Sequence, residues 1–398
     1  MKFQSSKKTV LNLVLLAAFG GGIIADAMAF QGAGARSSRG DRGASKKPEV
    51  RYPDATREEP KAKASNMQNK LGKLFKAYEK DDNEAEALAL ANELLADPKA
   101  SNHDKAIAAQ VGAQAAYGLD DTATTKRMLQ QVIALNALDN NNHYQSMLML
   151  AQLQLQDDEL QAGVATLDQY LEETRSKKPE DLLQKGQALY QMEKYPEAIE
   201  VIKQAIAASS EPKDSWYNLL MASYAEAEQF GEAVKVAEQM ANKNPADKRA
   251  QLNLISVYQQ ADQFDKAAVT LEKMRAAGQL TEEKEYRQLY VTYANMEGKE
   301  KEVISVVNEG LQKGILKADD YQNQLALAQA YYYSEQIPQA IEAWRKAAPL
   351  APTGDTYLNL ARVLWQEDRI PEAKQAARAA LDKGIKNPQD AKKIIALP

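Results

Sequence analysis

Apolar and small residues return along this chain at intervals of about 34 positions, from residue 68 almost to the C-terminus. One series is Gly186, Leu189, Tyr195, Ala198, Ile202 and Ala205, and the next is Leu220, Tyr224, Phe230, Ala233, Ala237 and Pro245. A third is Leu254, Tyr258, Phe264, Ala267, Leu271 and Met274. Near the end stand Leu327, Ala328, Tyr331, Ile337, Ala340, Trp344, Ala347 and Pro352, then Leu360, Ala361, Leu364, Ile370, Ala373, Ala377 and Ala380. A period of this size excludes an ordinary single-core domain and points to a stack of small identical units. Nine unit starts can be placed, near residues 68, 105, 144, 179, 214, 248, 283, 321 and 354.

Within a unit the spacing is helical. Gln324, Leu327, Ala328 and Tyr331 fall at i, i+3, i+4 and i+7, so the three apolar ones share a face. Ala340, Trp344 and Ala347 do the same in the following segment. Each unit is therefore two helices, A and B. Small residues (Gly186, Ala198, Ala328, Ala340, Ala361, Ala373) stand where the two cross and let the backbones approach, while large ones fill the gap to the next unit. One such pair cannot bury its own apolar face, so the units must stack. Pro179-Glu180-Asp181 marks a helix start, with proline early and carboxylates in the first turn. Pro245 and Pro352 close units.

These residues resemble the tetratricopeptide repeat family, whose units carry an aromatic, Leu-Gly, then Tyr, Ala, Phe, Ala and Pro at fixed offsets. The resemblance runs from about residue 68 to 388 and is strongest over 179–275 and 321–381. In the second repeat Thr124 stands where a small alanine is usual, Glu302 does in the seventh, and Phe75 replaces the small residue of the first helix A. The resemblance implies an all-α fold, a right-handed α-solenoid of about nine antiparallel helix pairs over residues 65–387. Residues 388–398 are expected to cap it, with Ile394, Ile395 and Leu397 on the last open face.

The first 64 residues are of other material. Lys2, Lys7 and Lys8 precede an apolar stretch from Val10 to Ala25, and Ala27-Met28-Ala29 follows. That order is a secretory signal peptide over 1–29, cleaved before Phe30. The stretch is about 16 residues, short of the roughly 20 that span a bilayer. No cysteine is present to accept a lipid. The expected address is the periplasm, with no membrane segment after cleavage. Residues 30–64 hold nine basic residues against five acids and lose all helical or strand period, which predicts a disordered basic linker. The arm is either a solvated tether or a contact for anionic lipid, cell-wall polymer or an acidic protein.

The chemistry-bearing residues are sparse. No glycine-rich phosphate loop follows a strand, and cysteine is absent. His103 and His143, with no second histidine at helical spacing, are expected in surface or cap roles rather than as metal ligands. Asp139-Asn140-Asn141-Asn142 has the composition of a calcium loop without its central glycine or closing glutamate, so it reads as a turn between repeats. A net charge of −5 argues against attraction to nucleic acid. With no span left for a catalytic domain, the chain reads as a non-enzyme that needs no cofactor or metal.

The resemblance further implies a concave surface lined by the A helices. Carried onto this chain, its groove-facing positions include Leu183 and Tyr190, then Ser256, Gln259 and Arg287, then Leu325, Gln329 and Tyr332, and finally Leu358, Arg362 and Trp365. Tyr332 and Trp365 are equally compatible with packing between units. No unit has the lysine and asparagine pair of the family's carboxylate-clamp members. The remaining face suits an extended or helical peptide. The expected function is a periplasmic scaffold for protein partners. The chain is also similar to exported tetratricopeptide proteins that accompany TonB–ExbB–ExbD systems in Gram-negative bacteria. The alternative is binding of an envelope polymer, peptidoglycan or exported polysaccharide.

Overall fold

The computed structural model describes residues 50–61, 65–80 and 82–398. The leader expected at 1–29 and residues 30–49 of the arm lie outside these. The described residues hold nineteen helices and no strand. In chain order they are α1 (Gln68–Tyr78), α2 (Glu84–Ala96), α3 (Asn102–Gly118), α4 (Thr122–Leu135), α5 (Asn140–Gln156), α6 (Leu160–Thr174), α7 (Pro179–Gln191), α8 (Tyr195–Ala208) and α9 (Asp214–Glu226). Then follow α10 (Phe230–Lys243), α11 (Lys248–Gln260), α12 (Phe264–Ala276), α13 (Glu283–Ala294), α14 (Glu300–Gln312), α15 (Tyr321–Tyr333), α16 (Ile337–Leu350), α17 (Asp355–Gln366), α18 (Ile370–Lys383) and α19 (Gln389–Ile395).

The helices form two compact α-solenoid units, one ending at Gln229 and one running from Phe230 to Pro398. In each, every helix packs on the next in sequence. The odd-numbered helices through α17 are the A helices, and α19 packs on α17 and α18, burying Ala391 and Ile394.

The turn from A to B carries one recurring feature. A residue with left-handed backbone ends helix A: Asp82, Asp120, Asp158, Glu193, Glu228, Asp262, Glu335 and Asp368, with Gly298 in the seventh pair. In seven of the pairs the next N–H reaches back five residues, as Lys194 does to the Leu189 carbonyl (2.9 Å) and Gln336 to that of Tyr331 (2.8 Å). This closes the helix by satisfying a carbonyl that would otherwise lack a donor. Helix B then opens with proline in its first turn in α8, α16 and α18. At one fixed offset after the left-handed residue, helix B carries a buried residue: Ala87, Thr125, Gly163, Ala198, Ala233, Ala267, Val303, Ala340 and Ala373. The second and seventh units therefore conform better than their sequences suggest. Their crossing residues are Thr125 and Val303, one position beyond Thr124 and Glu302, because the offset is counted from the turn.

The close approach at these crossings is measurable. A Cβ on Gly186 would lie 2.6 Å from Ile202 Cγ1, and one on Gly163 2.5 Å from Leu155 Cδ2. Polar clasps add to the apolar stack in the C-terminal unit. Glu309 of α14 accepts from Arg275 of α12 (2.9 Å), from the Tyr286 hydroxyl of α13 (2.9 Å) and from Lys313 (2.6 Å). These donors, Arg275 foremost, hold the Glu309 carboxyl down at about 2.

Candidate partner-binding surfaces

On α15 and α17 the six residues expected in a groove do not form one open face. Leu358 is 5% exposed and belongs to the core, which corrects its assignment. The physical reason is the helical face it occupies: Leu358 shares it with Ala361 and Leu364, which are also buried. Arg362 is exposed but engaged, donating to Asp390 of α19 (2.6 Å) and to Asn359 (3.2 Å). Leu325 and Gln329 are half-buried, and Gln329 lines a cleft of about 70 Å³ with Tyr293, Met296 and Tyr333. Tyr332 is also half-buried. Its ring centroid is 5.4 Å from that of Trp344, and its hydroxyl donates to Gln366 of α17 (3.3 Å). The Tyr332 ring thus packs within its own repeat and only its hydroxyl reaches the next, while Trp365 is 44% exposed.

Tyr333, 58% exposed, was not singled out by its sequence position. The signal for it is the run Tyr331-Tyr332-Tyr333. Successive helical residues point about 100° apart, so three aromatics in a row cannot all face one core.

In the N-terminal unit, Leu183 and Tyr190 are half-buried on α7. Tyr190 meets Tyr195 edge-on at 5.5 Å, and burial pushes its hydroxyl up to about 12. Other groove-position residues spend their polar groups on the next repeat. Gln259 of α11 donates to Thr292 of α13 (2.7 Å) and accepts from Gln288 (3.0 Å), which also donates to Ser256 (3.3 Å). Arg287 pairs with Glu283 and Asp320.

A second surface departs furthest from the sequence reading. Residues 50–61, expected to be disordered, lie as a strap along the N-terminal unit. Tyr52, 9% exposed, inserts among Tyr144, Tyr170 and Lys178. The Arg57 guanidinium donates to Asn136, to Asn140 (2.6 Å) and to the Leu138 carbonyl (2.8 Å). The Thr56 N–H donates to the Glu173 carbonyl (2.7 Å), and the Arg51 N–H to Asn141 Oδ1 (3.1 Å). Asn140 and Asn141, read as part of a turn between repeats, open α5 and are the strap's clasp. The disorder expectation fails here because the ordering groups lie far along the chain, where no local period reveals them.

His103 Nδ1–H donates to the Ala137 carbonyl (2.9 Å), a link from the start of α3 to the turn after α4. His143 is instead 3% exposed, behind the strap, which corrects its surface or cap assignment. Its Nδ1 has no hydrogen-bond partner among the described residues. Burial first, then the nearby Arg57 guanidinium, lowers it to about 4, with Glu173 opposing. The folded chain therefore keeps His143 neutral while the unfolded chain protonates near 6.5. Its contribution to stability is complete above pH 6.5 and is lost as pH falls toward 4. Between pH 7 and 4.5 this amounts to about 2–3 kcal/mol. Arg57, Glu59, Asp139 and Glu173 share the pocket, so His143→Gln is the comparison that isolates the histidine. The urea midpoint of the wild type should fall between these pH values by more than that of the variant; equal falls would refute the assignment.

Among the described residues no group of His, Asp and Glu is arranged to hold a metal ion, and no helix is long and apolar enough to cross a membrane. Two tetratricopeptide repeat family models match the sequence, one over residues 224–290 and the other over 183–226 and 325–390. No curated protein matches it. Among solved structures the chain is similar to a tetratricopeptide repeat protein from Parabacteroides merdae, at 12% identity and a TM-score of 0.36, over 74% of this chain and 97% of that one. It is also similar to the C-terminal part of a TPR repeat-containing protein from Cytophaga hutchinsonii, at 14% identity and a TM-score of 0.38, over 71% of this chain and 95% of that one.

Proposed function

We propose that this array of tetratricopeptide repeats is a non-catalytic scaffold that holds protein segments in the envelope of a Gram-negative cell. The observation that carries the reading is Trp365. A tryptophan 44% exposed on the A helix of a well-formed repeat is a rigid, amphipathic anchor of the kind that dominates binding energy at interfaces. On α15, Gln329 and Tyr333 line a cleft that offers an apolar recess with a polar group in it. The envelope address rests on the leader-like residues 1–29 and on the absence of cysteine. The finer reading, service to a TonB-type energy-transduction complex, rests on those features together with the basic arm and the array that fills the rest of the chain.

Cross-linking in the periplasm, followed by purification, tests this. The expected capture is a protein, with TonB-system components among the recovered chains. Trp365→Ala should then weaken the purified partner's binding by roughly thirtyfold, about 2 kcal/mol. Unchanged affinity would remove Trp365 from the site, and recovery with peptidoglycan or polysaccharide alone would replace the scaffold reading by polymer binding.

A further inference from the structure

We propose that the edge of the N-terminal unit formed by the α4–α5 turn, α5, α6 and the start of α7 is a peptide-recognition site of its own. Its ligand class is an extended segment bearing a tyrosine and an arginine spaced as Tyr52 and Arg57 are. Residues 50–61 fill it in cis as an exchangeable occupant. This site is independent of the α15 and α17 surface, and either can fail without the other.

The edge has the three parts such a site needs. The first is a pocket. Tyr144 and Tyr170 are fully buried and meet the Tyr52 ring edge-on at 5.1 and 6.0 Å, and the Lys178 ammonium lies 5.3 Å from its centre. Beneath it Tyr170 donates to the buried Asp181 carboxylate (2.9 Å), which Ser176 also holds (3.0 Å), so the floor is fixed by the array itself. The second part is a fork for arginine. Asn136, Asn140 and the Leu138 carbonyl accept from Nε, Nη1 and Nη2, an arrangement that a lysine cannot satisfy. The third is backbone recognition. The Glu173 carbonyl accepts from the Thr56 N–H and, at 3.1 Å, from its hydroxyl, and the Asn140 N–H donates to Glu59 (3.2 Å).

Exchange follows from how little else holds the strap. It contains no helix or strand, and Arg51, Pro53, Asp54, Thr56, Glu58 and Glu59 are exposed. The hydrogen bonds to the guanidinium come from carboxamides and a carbonyl, weaker acceptors than a carboxylate. Opening such a segment costs far less than unfolding the helices beneath it. Its tether nevertheless presents it at an effective concentration on the order of millimolar, so a free segment of the same pattern competes poorly until the strap is released.

The test uses the full chain and a fluorescent peptide of residues 50–61. In the release variant Tyr52→Ala/Arg57→Ala the peptide should bind saturably, and at least tenfold more tightly than to the intact chain. The same peptide with both residues replaced by alanine should bind neither. No binding to the release variant, equal binding to both chains, or indifference to the two side chains would each overturn the proposal. Should the variant lose helix content, hydrogen exchange on the intact chain decides instead. An exchangeable strap exchanges at least tenfold faster at Thr56 than the core of α5 and α6, and equal protection would sink it.

Discussion

Trp344→Ala should lower the stability of the C-terminal unit by about 3–5 kcal/mol, while Trp365→Ala should cost about 1 kcal/mol or less. The two tryptophans lie on successive helices, α16 and α17, and differ in burial rather than in type. Trp344 is 4% exposed with the Tyr332 ring against it, so its removal leaves a cavity that the close-packed repeat cannot fill. Its Nε1 is buried without a partner among the described residues, so Trp344→Phe removes an unpaired donor along with some volume and should cost only about 1 kcal/mol. Urea unfolding measures the differences, and hydrogen exchange should show α15 to α18 opening first in the alanine variant. Similar losses at both tryptophans would mean that Trp365 is core and would withdraw it from the proposed binding surface.

Gly354→Ala should be comparably severe, at about 3 kcal/mol or more. Gly354 sits just before α17, and its N–H donates to the Gly384 carbonyl (2.8 Å). A Cβ there would stand 2.0 Å from the Ala380 carbonyl oxygen and 2.8 Å from Ile385 Cγ2. The obstruction is backbone, which cannot rotate aside as a side chain does. The φ of −74° is ordinary, so the demand for glycine comes from space and not from conformation. Gly72→Ala, where a Cβ meets nothing within 4 Å, is the control and should gain about 0.5–1 kcal/mol as helix propensity improves. A neutral Gly354→Ala would show that α17 and α18 approach less closely than described.

How much of this was legible beforehand differs from one element to another. The expected A-helix starts at 179, 214, 248, 283 and 321 coincide with the observed ones. The second and third begin earlier than 105 and 144, at Asn102 and Asn140, because the side chains of Ser101 and Asp139 cap those helices ahead of the first periodic apolar residue. Along one pair, the turn and the crossing residue are set by neighbours in sequence, so a repeat pattern reveals them. Trp365 and Tyr332 occupy matching positions in adjacent repeats, yet one is open and the other packed. No local pattern separates them, since the difference lies in Trp344 and Gln366, which only the stacked helices bring to Tyr332.

The sequence by itself determined that this protein is a stack of helix pairs. A face buried every 3.6 residues and a unit repeated about every 34 leave no other way to cover the apolar surface. Tertiary structure alone decided which surface residues remain free and what becomes of residues 50–61. Polar, proline-bearing and without period, that segment has no internal reason to be ordered. Its order comes from Asn136, Asn140, Tyr144, Tyr170 and Glu173, which are remote in the chain and assemble into a pocket and a fork only once α4 to α7 have packed.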